Sequence, residues 1–151
     1  MAQKRIKIVP ENSSALQEKF INCIMKQGKK SIALNIFHDA MDMIAAKGHK
    51  EPLKIFEKAL ENLKPTLEVK AKRIGGAVYQ IPMEVKANRQ ATLSIRWLLE
   101  TCRSKRNAPM AKKLSDELIL AANGEGAAIK KRDDVIKMAQ ANKAFAHYAK
   151  Y

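Results

Sequence analysis

Aromatic side chains are scarce in this chain, at 5% of its 151 residues, and acidic ones number 15 against 29 lysines and arginines. So few rings leave little from which to build a platform that stacks successive single-stranded bases, so recognition is expected to rest on phosphates, shape and sugar contacts. No apolar run approaches the ~20 residues of a spanning helix, and no signal-peptide hydrophobic region follows Met1. A soluble, unexported protein without a membrane partner is expected. The two cysteines, Cys23 and Cys102, fall in apolar helical patterns far apart, with no second Cys or His at metal-ligand spacing, and read as buried free thiols in a reducing compartment.

Catalytic sets are missing too. His38, His49 and His147 are mutually distant, and neither paired carboxylates nor a nucleophile with its base is in view. Gly28-Lys29-Lys30-Ser31 has the form of a P-loop ending, but Cys23 stands where the first glycine belongs and a lysine intervenes before the serine. Gly75-Gly76 alone is no dinucleotide fingerprint. No enzyme, cofactor or metal is expected.

What the chain has is positive charge. The net value of +14 exceeds what solubility asks for and implies a polyanionic partner. A hydrophobic content of 46% is ordinary for a globular fold, and the length suits one domain over residues 1–151. Residues 1–10, with Lys4, Arg5 and Lys7 and no acid, are too short and too charged to pack, and read as a basic arm that orders on binding.

Helical patterns fill most of the remainder. Ser14-Ala15-Leu16-Gln17 has capping-box form, and Leu16, Phe20, Cys23 and Ile24 share a face before Gly28. After the basic turn Lys29-Lys30, Ser31 is placed to cap a second helix whose stripe is Ile32, Ile36, Phe37, Ala40, Met43 and Ile44, ending at Gly48. Pro52 opens a third, in which Leu53, Phe56, Leu60 and Leu63 give the helical 3-4 spacing, and Pro65 forbids its continuation. A fourth is expected over Ala91 to Lys105, with Trp97 in the core. A fifth is expected from Pro109 to Asn123-Gly124, and a last one after Asp133-Asp134 carrying Val135, Met138 and Phe145.

Between the third and fourth helices the period changes to two. Apolar and polar residues alternate over Leu67 to Ala71 and over Tyr79 to Val85, with Gly75-Gly76 between, so residues 67–87 read as a β-hairpin arm. The fold class is therefore mainly α, a bundle of about six helices with one protruding hairpin. Because the apolar residues of both strands are odd-numbered, a common apolar face needs an odd-length loop. Pairing Val69 with Val85 and Ala71 with Met83 then sets Glu68 opposite Lys86 and Lys70 opposite Glu84. Lys72 and Arg73 lie near the tip without an acidic neighbour.

Arg89, Arg96 and Arg103 recur every seven residues, within about 40 degrees of one another on a helix, and Lys105 and Arg106 extend the charge. Glu100 is the only acid between Arg89 and Arg106, which favours phosphate contact. Lys130-Lys131-Arg132 is answered at once by Asp133-Asp134, so it serves equally as a helix start or as a phosphate contact.

Lys19 to Ala33 (KFINCIMKQGKKSIA), Ala59 to Val85 (ALENLKPTLEVKAKRIGGAVYQIPMEV), Arg96-Trp97 and Lys130 to Tyr148 (KKRDDVIKMAQANKAFAHY) closely resemble bacterial-type small-subunit ribosomal protein seven, over almost the whole chain. The resemblance implies a helical bundle with a long hairpin arm, in the cytoplasmic ribosome of a bacterium or in an organellar one. Family members bind the head domain of small-subunit ribosomal RNA early and organise later assembly of the head. By the same resemblance, the hairpin and C-terminal helix lie near the messenger exit path and exit-site transfer RNA and touch ribosomal protein eleven, with proteins nine and thirteen as head neighbours. Some bacterial relatives also repress their own operon by binding its messenger.

Carried over by matching position, the RNA-facing residues are Lys29, Lys30, Lys70, Lys72, Arg73, Arg96, Lys130, Lys131, Arg132 and Lys143. Arg73, Gly75, Gly76, Ala77, Tyr79, His147 and Tyr148 fall to the messenger and transfer RNA side. Two departures stand out: the N-terminal arm is shortened to Met1-Ala2-Gln3-Lys4-Arg5, and Ala87-Asn88-Arg89-Gln90 carries half the usual charge after the hairpin. From the residues alone a helical DNA-binding or chromatin-like module remains the alternative, with the arginine-bearing helix in the major groove. An RNA-modifying or hydrolytic enzyme has no residue set in its favour.

Overall fold

The computed structural model describes residues 13–150, so the expected basic arm over residues 1–10, with Lys4, Arg5 and Lys7, lies outside the described residues. The element order is α1 (Ala15–Ile24), α2 (Lys30–Ala46), α3 (Pro52–Leu63), β1 (Leu67–Ile74), β2 (Ala77–Glu84), α4 (Ala87–Ser104), α5 (Met110–Ala122) and α6 (Ala127–Ala141), closed by a 3-10 segment over Lys143–Lys150. The mainly α class with one hairpin between α3 and α4 is as expected.

Helix α1 begins with the capping box: the Ser14 hydroxyl accepts from the Gln17 N–H at 3.2 Å, and the Gln17 side chain accepts from the Ser14 N–H at 3.1 Å. Its Phe20 meets Phe56 of α3 and Phe37 of α2 edge to face, with centroids 5.0 and 6.0 Å apart, and Phe37 and Phe56 lie 5.4 Å apart. Three of the four phenylalanines thus join the first three helices, each buried ring contributing roughly 1.5–3 kcal/mol. Ile95 and Leu98 of α4, Leu114 and Leu118 of α5, and Ala128 and Ile129 of α6 complete this core. A smaller cluster of Val85, Leu93 and Trp97, with Val135 of α6 against it, seats the root of the hairpin, and Trp97 is a core residue as expected.

The hairpin register differs from the expected one. Gly75 and Gly76 form a two-residue turn with φ of +58° and +88°, the conformation that matches the twist of the flanking strands and favours glycine at both places. An even loop follows, and Glu68 pairs with Met83, Val69 with Pro82, Lys70 with Ile81 and Lys72 with Tyr79. Turn chemistry has overridden the alternation of apolar residues. Glu68 consequently faces the body beside Ile81 and is buried.

Several helix ends differ from the expected ones, and at two of them, the end of α1 and the start of α6, a side chain from another helix makes the bond that holds the end. Helix α1 stops at Ile24 rather than near Gly28, and Arg103 of α4 donates to the carbonyls of Cys23 and Ile24 at 3.0 and 3.3 Å. Helix α2 has Lys29, not Ser31, at its N-cap. Helix α4 starts at Ala87, four residues earlier than expected, which puts Arg89 in its first turn. Helix α6 starts at Ala127 rather than after Asp133-Asp134, because the buried Glu117 of α5 accepts from the Ala128 N–H at 2.8 Å and caps it from outside. It ends at Ala141, so Phe145 belongs to the 3-10 segment.

Gly126, the residue before α6, has φ of +100°, and a Cβ there would stand 2.8 Å from the Glu117 carboxylate. Gly126→Ala is expected to destabilise the protein by more than about 1 kcal/mol in urea unfolding. The thiols divide as well: Cys102 is fully buried, and burial, reinforced by the charge of Glu117, pushes its pKa up to about 12. Cys23 is exposed, against the expectation of burial, because it sits at the edge of α1 beside the α4 cleft rather than toward the phenylalanines. At pH 8 a thiol reagent is expected to label one cysteine per native chain and two after denaturation, as read by mass spectrometry.

Candidate nucleic-acid interface

The cations of the described residues fall into two sets. The first is tied into the protein. Lys105 pairs with Glu117, whose hydrogen bond holds the ammonium above its ordinary pKa. Arg89 reaches back from α4 to the arm, its Nε 2.7 and 2.8 Å from the two carboxylate oxygens of Glu68. That hydrogen bond, with the charge behind it, raises the guanidinium pKa.

Lys70 stands 3.7 Å from the same carboxylate. Arg103 holds the end of α1. Arg132 donates to Asp133 at 2.6 and 2.8 Å and to the Asn62 carbonyl at the end of α3, Lys131 pairs with Glu100, and Lys30 pairs with Glu18 at 2.7 Å.

Of the expected site residues, a second set has no hydrogen-bond or ion-pair partner among the described residues: Lys29, Arg96, Arg106, Lys130 and Lys143, and on the arm Lys72 and Arg73. All are exposed except Lys72, which is half-buried. The seven-residue arginine stripe therefore does not act as three equal charges, since Arg89 and Arg103 also build the fold while Arg96 points outward. Arg96 and Arg103 share a cleft with Cys23, Thr92, Leu99 and Glu100, and Glu100 is offset by Lys131. Lys29 sits at the N-terminus of α2, whose first turn has neither an acid nor a side-chain cap.

The far end of the arm carries Arg73 opposite Val78, both exposed, with Gly75, Gly76 and Ala77 at the turn. Midway along, Tyr79 meets Phe145 and Tyr148 of the 3-10 segment, centroids 5.3 and 5.5 Å apart, and His147 lies 4.0 Å from the Tyr148 ring. The C-terminal segment thus packs on the arm. Sequence reading grouped His147 and Tyr148 with the arm through resemblance alone, and it passed over Phe145 as a partner of Tyr79, a contact that no local pattern announces. It also passed over Lys26, exposed beside the basic turn.

Among the described residues no three His, Cys, Asp or Glu side chains gather where a metal ion would be held, and no helix is long and apolar enough to cross a membrane. The described residues thus form a helical body with outward cations and one cationic ribbon. Residues 1–143 match the family of Ribosomal protein S7p/S5e. The chain is 56% identical to Small ribosomal subunit protein uS7 of Solibacter usitatus, over 90% of this chain and 87% of that protein. It is 49% identical to the protein of the same name from Marinobacter nauticus, over 97% and 94%, and 55% identical to that of Nitratidesulfovibrio vulgaris, over 92% and 89%.

The chain belongs to this ribosomal protein family, whose role is structural and not enzymatic. Its kinship is with proteins of bacterial cytoplasmic ribosomes.

Among the described residues, the Glu68–Arg89 pair is the one side-chain ion pair joining the arm to α4. Arg89→Ala is expected to speed amide hydrogen exchange over Leu67–Ile74 and Ala77–Glu84 while leaving the amides of α3 and α5 unchanged.

Proposed function

We propose that this protein binds the head domain of small-subunit ribosomal RNA directly and helps that domain to assemble, with its arm and C-terminal segment beside the messenger exit path and exit-site transfer RNA. The observation that carries the proposal is a set of outward cations without an internal partner among the described residues, Lys29, Arg96, Arg106, Lys130 and Lys143, on a body that ties others, such as Lys105 and Arg132, into its own fold. These side chains neutralise phosphates where RNA helices converge, releasing counterions and holding together a junction that would otherwise repel itself. Specificity comes from the shape of the folded RNA, because A-form grooves hide most base edges. Ribosomal protein eleven at the arm, and proteins nine and thirteen elsewhere in the head, are the protein neighbours this reading assigns.

The division of labour follows from the fold. The body is fixed by its core, whereas the arm stands out as two strands held at the root by Val85, Trp97 and Arg89 and midway by Phe145 and Tyr148. An isolated two-stranded ribbon is marginal in water, and these contacts let it project without fraying. A DNA-reading α4 is less well supported, since Arg89 and Arg103 are engaged inside the protein and only Arg96 of the stripe is available.

Two measurements test the reading. With a head-domain RNA fragment, Arg96→Gln is expected to lower the slope of log affinity against log salt by about 1, while Lys105→Gln lowers the melting temperature and leaves the slope unchanged. Replacing Arg73 to Tyr79 by a short turn is expected to preserve binding to the fragment and to remove crosslinks to messenger and exit-site transfer RNA in assembled subunits. Equal affinity of the intact protein for random duplex and for the head fragment at physiological salt would refute the proposal.

A further inference from the structure

Beside the α1–α2 turn, where it meets the end of α4 and the start of α5, lies a depression of about 300 Å³. Ile32, Ile36, Met25 and Met110 give it an apolar floor, Lys26, Lys29 and Arg103 stand around it, and no acidic residue lines it. Ile32 is 52% exposed, although it belongs to the apolar stripe of α2. The turn that shapes the rim runs through two successive left-handed residues, Gln27 at φ +54° and Gly28 at +72°. For Gln27, which has a Cβ, that conformation is uncommon, and such backbone is characteristic of ligand clamps and switch regions.

We propose that this depression receives one unstacked RNA base, with the flanking phosphates held by Lys26 and Lys29. The inference rests on the RNA-binding reading above and adds a site to it. The three cations and the lack of any acid match a nucleotide better than a protein side chain, and the depression shares Arg103 with the adjoining Arg96 cleft, so it continues the same face. Arg103 is held by the Cys23 and Ile24 carbonyls, which fixes its planar guanidinium in the wall before any ligand arrives. The thioethers of Met25 and Met110 are polarizable and adapt to a flat ring. Gln27 offers both a donor and an acceptor to a base edge. One accommodated base does not need the many exposed rings that this chain lacks.

The test uses the full chain and the head-domain RNA fragment. Ile36→Phe narrows the depression and Ile32→Ser removes one of its apolar lining side chains, neither changing charge. Each is expected to weaken binding about tenfold with the salt slope unchanged, and Ile32→Ser, at a half-exposed site, to melt like the parent. A benzophenone-bearing residue at position 32 is expected to crosslink to a single unpaired nucleotide. Making that nucleotide abasic is expected to weaken the parent to the same degree and to add nothing to the loss in Ile36→Phe.

Parent-like affinity in both variants would overturn the site, as would a crosslink that goes to another protein or to residues 1–12 of this chain. If the parent itself shows no preference for the fragment over random duplex, the RNA-binding reading falls first and the site with it.

Discussion

The carboxylate of Glu117, fully buried among helices, is the constraint on which the C-terminal half depends. A helix leaves its first N–H groups and last carbonyls without internal partners, and a bundle of short helices buries several such ends. Glu117 reaches from α5 to the first turn of α6, supplies the acceptor that Gly126 lacks, and is itself balanced by Lys105 from beyond the end of α4. A buried carboxylate without that cation would be expensive, so three elements are fixed by one side chain and its counterion. Gly126 completes the arrangement, because only a residue without Cβ allows the carboxylate so near.

The same device recurs elsewhere. Arg103 closes the end of α1, Asn62 of α3 donates to the Ala121 and Ala122 carbonyls at the end of α5 at 2.9 and 3.1 Å, and Arg132 of α6 donates to the Asn62 carbonyl. These bonds tie α1 to α4, α3 to α5 and α6 to α3, across sequence separations of 59 to 80 residues. Such cross-helix caps orient the helices as well as satisfying them, which the non-directional packing of the phenylalanine core does not do. They also divide the charges: a cation that caps or pairs internally is committed to the fold, and the surplus that remains faces outward.

Much of the architecture was legible in the chain. The capping box at Ser14 and Gln17, proline at the start of α3 and at Pro109, and the period-two stretches around Gly75-Gly76 are local signals, and each marked its element. Of the outward cations, Lys29, Arg96 and Lys130 were named through charge and family resemblance alike, Arg106 through charge alone, and Lys143 through its matching position. Illegible were the features set by a distant partner: the exposure of Cys23, the early start of α6, the packing of Phe145 on Tyr79, and the separation of Arg89 and Arg103 from Arg96. The register is the instructive failure, since the apolar alternation and the glycine turn made opposite demands and the turn prevailed. Glu68 was thereby carried inward, and Arg89 became its partner.

By itself the sequence determined the helical class, the presence and place of the arm, the cationic excess and, through its quoted stretches, the family. These are properties of composition and of neighbours within a few residues, where propensity, periodicity and turn chemistry act. Only the tertiary structure decided where helices stop, how the strands register, which thiol is reachable and which cations remain for a partner. Those outcomes depend on contacts such as Glu117 with Ala128 and Arg103 with Cys23, whose energies arise only when the chain has brought the two groups together and removed the water between them.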